Sequence, residues 1–329
     1  MIFTDKELVV DGLKTYFDTR AGLVKAVDEV SFKLSSGKIL GLVGESGSGK
    51  SVTGLSVMGL VDPPGFVVDG KIIYQNEDIL SLTDKELRRF RGAHIAMIFQ
   101  DAMMSLNPVL RIDTQMVETL KAHQNISHRA ALSQAAEALT QVGIPDPQRR
   151  LKSYPHQFSG GMRQRVAIAI AMLNDPAFII ADEPTTAIDV TIQTQILYEI
   201  QKLCSQKGTG LLWITHDLTV VAGLADEVAV MYAGKIVEQG SVDNVLDRPL
   251  HPYTTGLIKS VPAHNRRGQP LNSIQGMAPS LVDLPPGCSF RERCPRANGL
   301  CLEDPMFSTP LPEHNVRCHH PHTEHGGVE

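Results

Sequence analysis

The chain has 329 residues, a formal net charge of −5 and a hydrophobic share of 42%. This length is enough for about two domains, and the hydrophobic share excludes a chain that is disordered throughout. The negative charge argues against a general nucleic-acid binder. An aromatic share of 5% argues weakly against a base-stacking platform or an aromatic sugar-binding cleft.

The five cysteines are unevenly placed along the chain. Four of them, Cys288, Cys294, Cys301 and Cys318, lie close to the C-terminus, whereas Cys204 stands alone. Five cysteines are too few for a disulfide scaffold in a chain of this length. The late cluster is therefore treated below as a separate feature, and Cys204 is expected to be a small buried packing residue.

Neither a secretory leader nor a membrane span is expected. The first residues lack a charged region followed by an apolar core. A spanning helix needs about 20 consecutive apolar residues, and the best apolar run, 166–173, is much shorter. We therefore expect a cytoplasmic chain that reaches a membrane only through a partner.

The first hundred residues are predicted to be rich in β-strands. Short apolar runs separated by polar or glycine turns predict strands at 8–10, 26–32, 39–43, 71–75 and 95–99. The third of these runs is followed by a glycine-rich segment. A helix over 52–60 is expected to follow that segment.

The middle of the chain alternates between helical and strand patterns. Apolar residues at three- and four-residue steps predict helices over 113–142, 166–173 and 188–203. Fully apolar runs predict strands at 177–181 and 210–215. A hairpin is expected at 227–238 around Ala233-Gly234. Beyond about residue 245 prolines recur and periodicity is lost, which indicates an irregular extension.

The strongest motif is a glycine-rich segment between a predicted strand and a predicted helix. Gly44 and Gly49 flank four residues, and Lys50 and Ser51 follow. Glycines let the backbone wrap around a phosphate chain, lysine supplies a positive charge to the β- and γ-phosphates, and serine can ligate Mg²⁺. A glycine-rich turn formed by chance is the weaker interpretation. The candidate phosphate-binding residues are Gly44, Ser46, Gly47, Ser48, Gly49, Lys50 and Ser51.

Two acidic residues follow the apolar strand predicted at 177–181. Asp182 and Glu183 would lie at the mouth of an α/β sheet, where ligands bind. Asp182 would hold Mg²⁺, and Glu183 would orient and polarise the attacking water. Two such acids alone could simply begin a helix. Together with the glycine-rich segment they favour the functional interpretation.

These motifs and four others resemble the nucleotide-binding subunit of an ABC transporter. The family's ordered motifs match Gln100, Ser159-Gly160-Gly161-Met162-Arg163-Gln164, Asp182-Glu183-Pro184, Thr186-Ala187-Ile188-Asp189 and His216. The resemblance covers roughly residues 5–260. Taken singly, a surface glutamine, an ordinary turn or a helix cap would explain several of these matches. Their order and spacing favour them as a set.

The resemblance implies an α/β fold. It would be a P-loop ABC ATPase core with an antiparallel β subdomain and a helical subdomain. The implied boundaries are 1–250 for the nucleotide-binding domain, with the helical subdomain inserted at about 101–165, and 251–329 for a C-terminal extension. The implied ligands are ATP and Mg²⁺, with Ser51, Gln100 and Asp182 at the metal.

The resemblance also assigns roles to single residues. Ser159, Gly160 and Gly161 would bind the γ-phosphate held by the opposite subunit of a dimer, although Met162 stands where the family usually has glutamine. Catalysis would involve Glu183, His216 and Gln100. Asp189 would communicate across the dimer. Phe17, or else Tyr16, would stack on adenine.

Several segments are similar to the oligopeptide, dipeptide and nickel importer group, and most to its dipeptide type. They are 98–108, 154–158, His251-Pro252-Tyr253-Thr254, Pro286-Gly287-Cys288 and Arg293-Cys294-Pro295. The implied partners are a second, different ATPase subunit, two transmembrane permease subunits and an extracytoplasmic substrate-binding protein. The implied location is the cytoplasmic face of the cell membrane.

Two alternatives stay open for the function. The first keeps the ATPase and changes the cargo to nickel, longer peptides or glutathione. The second is a soluble ABC ATPase that acts on DNA or ribosomes. That class usually carries tandem cassettes or a long coiled coil, and neither is evident in this sequence.

The late cysteines are spaced Cys288-x5-Cys294-x6-Cys301-x16-Cys318. Structural zinc sites normally open with a short C-x₂₋₄-C pair, so this spacing fits Zn²⁺ poorly. Four thiolates can hold a [4Fe–4S] cluster, whose ligand spacings vary more, and the dipeptide-importer resemblance also implies one. Zinc and four unliganded thiols remain alternatives. The tail histidines His314, His319, His320 and His322 could replace a ligand or simply be solvated.

Overall fold

The computed structural model describes residues 7–185, 190–261 and 272–322. By compactness the chain divides into two units, each of which is discontinuous in sequence. Unit 1 comprises residues 1–8, 34–38 and 77–212, and unit 2 comprises residues 9–33, 39–76 and 213–329. The domain boundary that the sequence predicts at residue 250 stays a prediction.

Most of the strands lie in unit 2. The strands are β1 (Glu7–Thr19), β2 (Gly22–Ser35), β3 (Ile39–Val43), β4 (Gly65–Tyr74), β5 (Glu77–Asp78), β6 (Ile95–Ile98), β7 (Phe178–Asp182), β8 (Gly210–Thr215), β9 (Glu227–Tyr232), β10 (Lys235–Ser241), β11 (Phe307–Leu311) and β12 (His314–Arg317). In unit 2, β2, β1 and β4 lie side by side in one sheet. The other sheet of unit 2 has the order β11, β12, β10, β9 and β3.

The core of unit 2 is built on β3 and β9. These strands pair in parallel, with Leu40 opposite Glu227 and Val43 opposite Val230. All five residues of β3 are buried. An apolar run without alternation is typical of a parallel strand that is covered on both faces, so both of these short strands could be recognised in the sequence.

The hairpin predicted at 227–238 is confirmed. Strands β9 and β10 pair antiparallel, with Lys235 opposite Tyr232. The two connecting residues, Ala233 and Gly234, both have positive φ, of 47° and 85°. Positive φ at both central residues is the geometry of a tight turn whose twist matches that of the flanking strands.

The C-terminal extension is not irregular throughout, in contrast to the sequence-based expectation. Strand β12 pairs antiparallel with β10, with Val316 opposite Glu238, and β11 pairs with β12. Along β12 the buried residues are His314 and Val316, and they alternate with partly exposed ones. An alternation this short, set among prolines, carries too little signal to be recognised in the sequence.

A buried carboxylate ties the extension to the rest of unit 2. Glu238 on β10 is fully buried. Its carboxylate accepts hydrogen bonds from the backbone N–H of Leu250 at 2.6 Å and of His251 at 2.9 Å. The Nε2 of His314 lies 2.7 Å from the same carboxylate and donates to it. Three donors therefore compensate the burial of one charged group.

The helices are concentrated in unit 1. They are α1 (Lys50–Val57), α2 (Asp84–Phe90), α3 (Ala102–Ser105), α4 (Ile112–His123), α5 (His128–Gln141), α6 (Pro147–Arg150), α7 (Gly160–Met172), α8 (Val190–Lys207), α9 (Leu218–Leu224), α10 (Val242–Asp247) and α11 (Pro252–Ser260). Unit 1 holds α2 to α8. Within it, α5 packs against α4 and α7, and β6 pairs in parallel with β7.

The helix bounds differ from the predicted ones, and two of the differences have a visible cause. The pattern over 113–142 is interrupted at 124–127, and α5 starts anew because the Ser127 hydroxyl accepts a hydrogen bond from the N–H of Ala130 at 3.3 Å. Helix α7 starts six residues earlier than predicted, at Gly160, where Ser159 caps it. Polar cap residues thus set both starts. Among the described residues, no helix is long and apolar enough to cross a membrane.

Helix α11 begins at a buried histidine. His251 caps it, since its Nδ1 accepts a hydrogen bond from the N–H of Tyr253 at 3.0 Å. Burial, assisted by the nearby His322, lowers the pKa of His251 to about 3. An unfolded histidine has a pKa near 6.5. Between pH 6.5 and about 3, His251 therefore stays neutral in the folded protein, whereas the same side chain becomes protonated in the unfolded chain.

This difference predicts a loss of stability as the pH falls from 6.5 towards 3 and no contribution from His251 above pH 6.5. Each pH unit in that window costs up to about 1.4 kcal/mol. H251N keeps a capping acceptor and removes the titration. In urea unfolding, H251N should lose roughly 1.5 kcal/mol less than the wild type between pH 6.5 and 5. H128N, at an exposed histidine of α5, is the control. Identical pH dependence in H251N and wild type would contradict the assignment.

Candidate functional site

The glycine-rich segment forms a loop between β3 and α1. The phosphate-binding loop, residues 44–51, includes the first turn of α1 at Lys50. The side chain of Lys50 is buried and folds back over the loop. Its Nζ donates to the carbonyl oxygens of Gly44 and Glu45, both at 2.9 Å. The lysine charge therefore lies inside the concave face of the loop.

Two glycines allow the loop to touch neighbouring backbone. At Gly49, where φ is 106°, an added Cβ would lie 2.0 Å from the carbonyl oxygen of Ala26. At Gly44 it would lie 2.1 Å from the carbonyl oxygen of Met231. No side chain larger than hydrogen fits at either position. Sequence reasoning identified both glycines, and the structure supplies their physical reason.

The start of α1 suits an anion. Among the described residues, no side chain caps its N-terminus, where Gly49 is the cap residue. The first N–H groups of a helix lack partners inside the helix and carry the positive end of its dipole. Phosphate groups bind readily to such a start, and Lys50 adds a full positive charge to it.

Sequence reasoning missed the anchoring of the loop at Glu45. The backbone N–H of Glu45 donates to the hydroxyl of Tyr253 at 2.9 Å. Its carboxylate accepts two hydrogen bonds from Arg293, at 2.7 Å and 3.0 Å. No local pattern could have paired two residues 248 positions apart, although Tyr253 and Arg293 both lie in segments that carried the importer resemblance.

The acidic pair lies at the end of β7 in unit 1. Asp182 is the last residue of that strand and is buried. Glu183 follows with a φ of 43°, which is unusual for a residue other than glycine. The Nε2 of Gln100 donates to the Glu183 carboxylate at 3.2 Å. The structure thus brings together two of the three residues predicted to be catalytic.

The third predicted catalytic residue, His216, lies in unit 2. It is exposed and directly follows β8. Asp217 caps helix α9, where its carboxylate accepts from the N–H of Thr219 at 2.8 Å. The helix-cap interpretation therefore holds for Asp217, and the ligand role of His216 stays a prediction. Asp189 lies outside the described residues.

The segment Ser159-Gly160-Gly161 forms the start of α7. The Ser159 hydroxyl accepts from the N–H of Met162 at 3.3 Å. An added Cβ at Gly160 would find nothing within 4 Å, so this turn is open. Arg163 stabilises the segment before this turn, because its Nε donates to the carbonyl oxygens of Pro155 and Phe158, each at 3.1 Å.

The two candidate adenine-stacking residues are neighbours on β1. Side chains of consecutive strand residues point to opposite faces, so only one of them can face a given ligand. The hydroxyl of Tyr16 donates to Asp28 at 2.7 Å, and burial together with this contact raises its pKa. The ring of Phe17 lies against Gly65. The choice between Tyr16 and Phe17 stays a prediction.

The late cysteines converge in unit 2. The N–H of Cys288 donates to the carbonyl oxygen of Cys301 at 3.0 Å. Burial, together with the charges of the other three thiols, raises the pKa of Cys318 to about 11. Burial also raises the pKa of Cys288 and Cys294. The four thiols are thus close enough to interact, although no group of three or more ligands in the described part of the chain is arranged to hold a metal ion.

Cys204 behaves as predicted. It is 1% exposed on α8, and burial raises the pKa of its thiol to about 12. A thiol of this kind is unreactive and serves packing.

Comparison with family models and solved structures defines the class. The model described as "ABC transporter" matches residues 27–186, and the model described as "Oligopeptide/dipeptide transporter, C-terminal region" matches residues 237–301. The chain is similar to the ATP-binding cassette MJ0796 in a post-hydrolysis dimer with ADP and Pi, with 25% identity and a TM-score of 0.65. That match covers 71% of this chain and 98% of the solved one. The fold is therefore that of an ATP-binding cassette ATPase.

Curated relatives narrow the class. The dipeptide transport ATP-binding protein DppD of Bacillus subtilis is 50% identical, over 90% of this chain and 89% of the relative. The oligopeptide transport ATP-binding protein AppD of the same organism is 47% identical, over 94% and 95%. DppD of Haemophilus influenzae is 44% identical, over 97% of each chain. The chain belongs to the ABC transporter ATP-binding proteins that carry the oligopeptide/dipeptide transporter C-terminal region.

This membership confirms the resemblance and the fold class inferred from the sequence. The chain is accordingly an ATPase, with ATP and Mg²⁺ as the ligands expected for its family. The glycine-lined loop and the buried ammonium of Lys50 fit a phosphate chain.

The close contact at Gly49 predicts a difference between two glycine-to-alanine changes in one loop. G49A should destabilise the fold by at least about 2 kcal/mol more than G47A, because its Cβ would meet a backbone oxygen. Gly47 also has positive φ, of 79°, but nothing lies within 4 Å of an added Cβ there. Urea unfolding of both variants measures the difference. Equal destabilisation would show that backbone strain, and not the contact, governs this loop.

Proposed function

We propose that this chain is the ATP-hydrolysing subunit of an importer for dipeptides and oligopeptides. The observation that carries the proposal is the 50% identity to a dipeptide transport ATP-binding protein over 90% of this chain. The match of the peptide-transporter C-terminal region to residues 237–301 supports it independently. A nickel or glutathione cargo has no comparable support among the similar proteins described above.

In this proposal the phosphate-binding loop holds the nucleotide. Lys50 neutralises the β- and γ-phosphates, while backbone N–H groups of the loop bind phosphate oxygens. Ser51, Asp182 and Gln100 are the residues that would hold Mg²⁺, which would neutralise charge on the phosphates. Ser159 and the two glycines after it bind the γ-phosphate of a nucleotide held by the partner subunit.

Glu183 acts on the attacking water. A carboxylate in hydrogen-bond reach of water can orient it and accept its proton as it attacks the γ-phosphorus. The hydrogen bond from Gln100 fixes one of its oxygens, which restricts the directions in which the other can point. His216 contacts the γ-phosphate and helps to place the same water.

Transport then follows from a change in assembly. ATP that contacts both subunits favours the closed dimer, and hydrolysis removes those contacts. The partners are a second, different ATPase subunit, two transmembrane permease subunits and an extracytoplasmic substrate-binding protein. The chain acts at the cytoplasmic face of the membrane. Asp189 carries the signal across the dimer, and Phe17 or Tyr16 stacks on adenine.

The role of Glu183 is tested by E183Q, which keeps the shape and removes the base. ATP turnover should fall at least about 100-fold, while ATP stays bound and holds the subunits in a closed dimer. D175N is the matched control, because Asp175 is also an acid with positive φ and pairs with Lys207 on the surface of unit 1. Turnover in E183Q equal to that in D175N would refute the assignment.

The cargo is tested in the assembled importer. Vesicles that contain the permease subunits, both ATPase subunits and the substrate-binding protein should accumulate a labelled dipeptide when Mg-ATP is supplied. The same vesicles with E183Q should not. Uptake of Ni²⁺ or glutathione without dipeptide uptake would contradict the peptide cargo and leave the ATPase role intact.

We further propose that Cys288, Cys294, Cys301 and Cys318 hold a [4Fe–4S] cluster. The donor set suits it: four partly or fully buried thiols interact in one place, and a bound metal would favour their thiolate forms. Because no group of ligands in the described part of the chain is arranged around a metal, the four thiols would take up that arrangement when the cluster binds. The cluster would anchor a proline-rich extension that has little regular structure of its own.

This proposal predicts brownish protein with broad absorbance near about 400 nm after purification without oxygen. C294S should lose the colour, since it removes one ligand. C204S is the control, because Cys204 is buried on α8 in unit 1 and should leave the colour unchanged. Colourless wild-type protein with stoichiometric Zn²⁺ would establish the zinc alternative instead.

A further inference from the structure

Arg293 and Glu45 form a paired contact between the extension and the phosphate-binding loop. The two guanidinium Nη atoms each donate to a different carboxylate oxygen, at 2.7 Å and 3.0 Å. The arginine side chain is only 6% exposed and the glutamate side chain 29%. The contact with Glu45 holds the pKa of Arg293 above its usual range. Two parallel charge-assisted hydrogen bonds fix direction as well as distance.

Arg293 is itself held in place by surrounding groups. Its Nε donates to the carbonyl oxygen of Gln275 at 3.0 Å, and its Nη1 donates to the hydroxyl of Tyr232 at 3.3 Å. The guanidinium carbon lies 5.8 Å from the centre of the Tyr232 ring and 5.9 Å from that of Phe290. Because these contacts fix the guanidinium, Arg293 can hold the side chain of Glu45 in one position.

A second contact fixes the backbone of the same loop residue. The hydroxyl of Tyr253 accepts from the N–H of Glu45 at 2.9 Å. The Tyr253 ring is fully buried. Its centroid lies 4.5 Å from that of the Tyr232 ring and 5.4 Å from that of the Phe290 ring. Glu45 is therefore held at both its backbone and its side chain by residues outside the loop.

Fixing this loop has a direct consequence for ligand binding. The backbone N–H groups of the loop can all bind one phosphate only when the loop is ordered, and ordering a flexible loop costs conformational entropy. Contacts that order the loop beforehand reduce the cost and tighten binding. They act equally on the ground state and the transition state, so they change the affinity for ATP and not the rate of the chemical step.

We propose that Arg293 is a positioning residue for the phosphate-binding loop, and that through Glu45 it sets the affinity of this ATPase for ATP. The inference rests on the proposed function in one respect, namely that this loop binds ATP. It gives the C-terminal extension a role in nucleotide binding.

The test uses the full chain and measures the Kd for ATP with Mg²⁺, together with KM and kcat for hydrolysis. R293Q should raise Kd and KM roughly fivefold, with kcat changed by less than about twofold. R293K keeps the charge without the two-pronged geometry and should give an intermediate value. R291Q is the matched control: Arg291 lies in the same turn and donates to the carbonyl oxygen of Pro286.

A double-mutant cycle separates the pair from general destabilisation. E45Q should raise Kd by a similar factor, and E45Q/R293Q should be no worse than either single variant, because each change removes the same contact. If R293Q does not fold, E45Q and R293K still decide the question, since Glu45 is partly exposed and lysine retains the charge.

Two results would overturn the inference: an unchanged Kd in folded R293Q or E45Q, or single effects that multiply in the double variant. A fall in kcat at constant KM would also contradict it. Failure of the proposed function looks different. In that case the wild-type chain itself would neither bind nor hydrolyse ATP, whereas failure of the inference leaves wild-type binding intact.

Discussion

The close approach of the phosphate-binding loop to other backbone is the constraint on which much of unit 2 depends. Gly44 and Gly49 each lie where a Cβ would meet a carbonyl oxygen, one from β9 and one from β2. The N–H of Gly234, in the turn after β9, donates to the carbonyl oxygen of Ser48 at 2.9 Å. The sheet can hold the loop this closely only because these positions are glycine. The loop is thus a part of the core and not a free connection.

Polar contacts fix the C-terminal extension to the rest of unit 2, because the extension has too few apolar residues to form a stable core of its own. Glu238 receives three donors, one of them from β12, and Lys235 pairs with Asp304 near the start of β11. Phe290 adds an aromatic contact with Tyr232 at 5.2 Å. A segment rich in proline cannot form enough backbone ladders to support itself, so its order depends on what it contacts.

Local features of this fold were predictable and distant ones were not. Strands β3 and β8 have the same bounds as the apolar runs that predicted them. The phosphate-binding loop could be recognised because its glycine, lysine and serine residues lie next to each other in the sequence. The pairing of β12 with β10 and the contact of Arg293 with Glu45 join segments far apart in the chain. Side-chain type alone does not identify a partner at such a distance. The break between α4 and α5 was missed because Ser127 resembles any other polar surface residue.

The phosphate-binding loop and the Glu183 carboxylate are positioned by different kinds of contact. The loop around Lys50 is fixed by backbone packing, a buried ammonium and contacts from the extension. Glu183 stands at a strained backbone position, which costs on the order of 1–3 kcal/mol, and Gln100 reaches it through one hydrogen bond from an exposed side chain. A single exposed hydrogen bond contributes about 1 kcal/mol. The phosphate-binding loop is thus part of a packed core, whereas the Glu183 carboxylate accepts from an exposed side chain and stands at a left-handed backbone position.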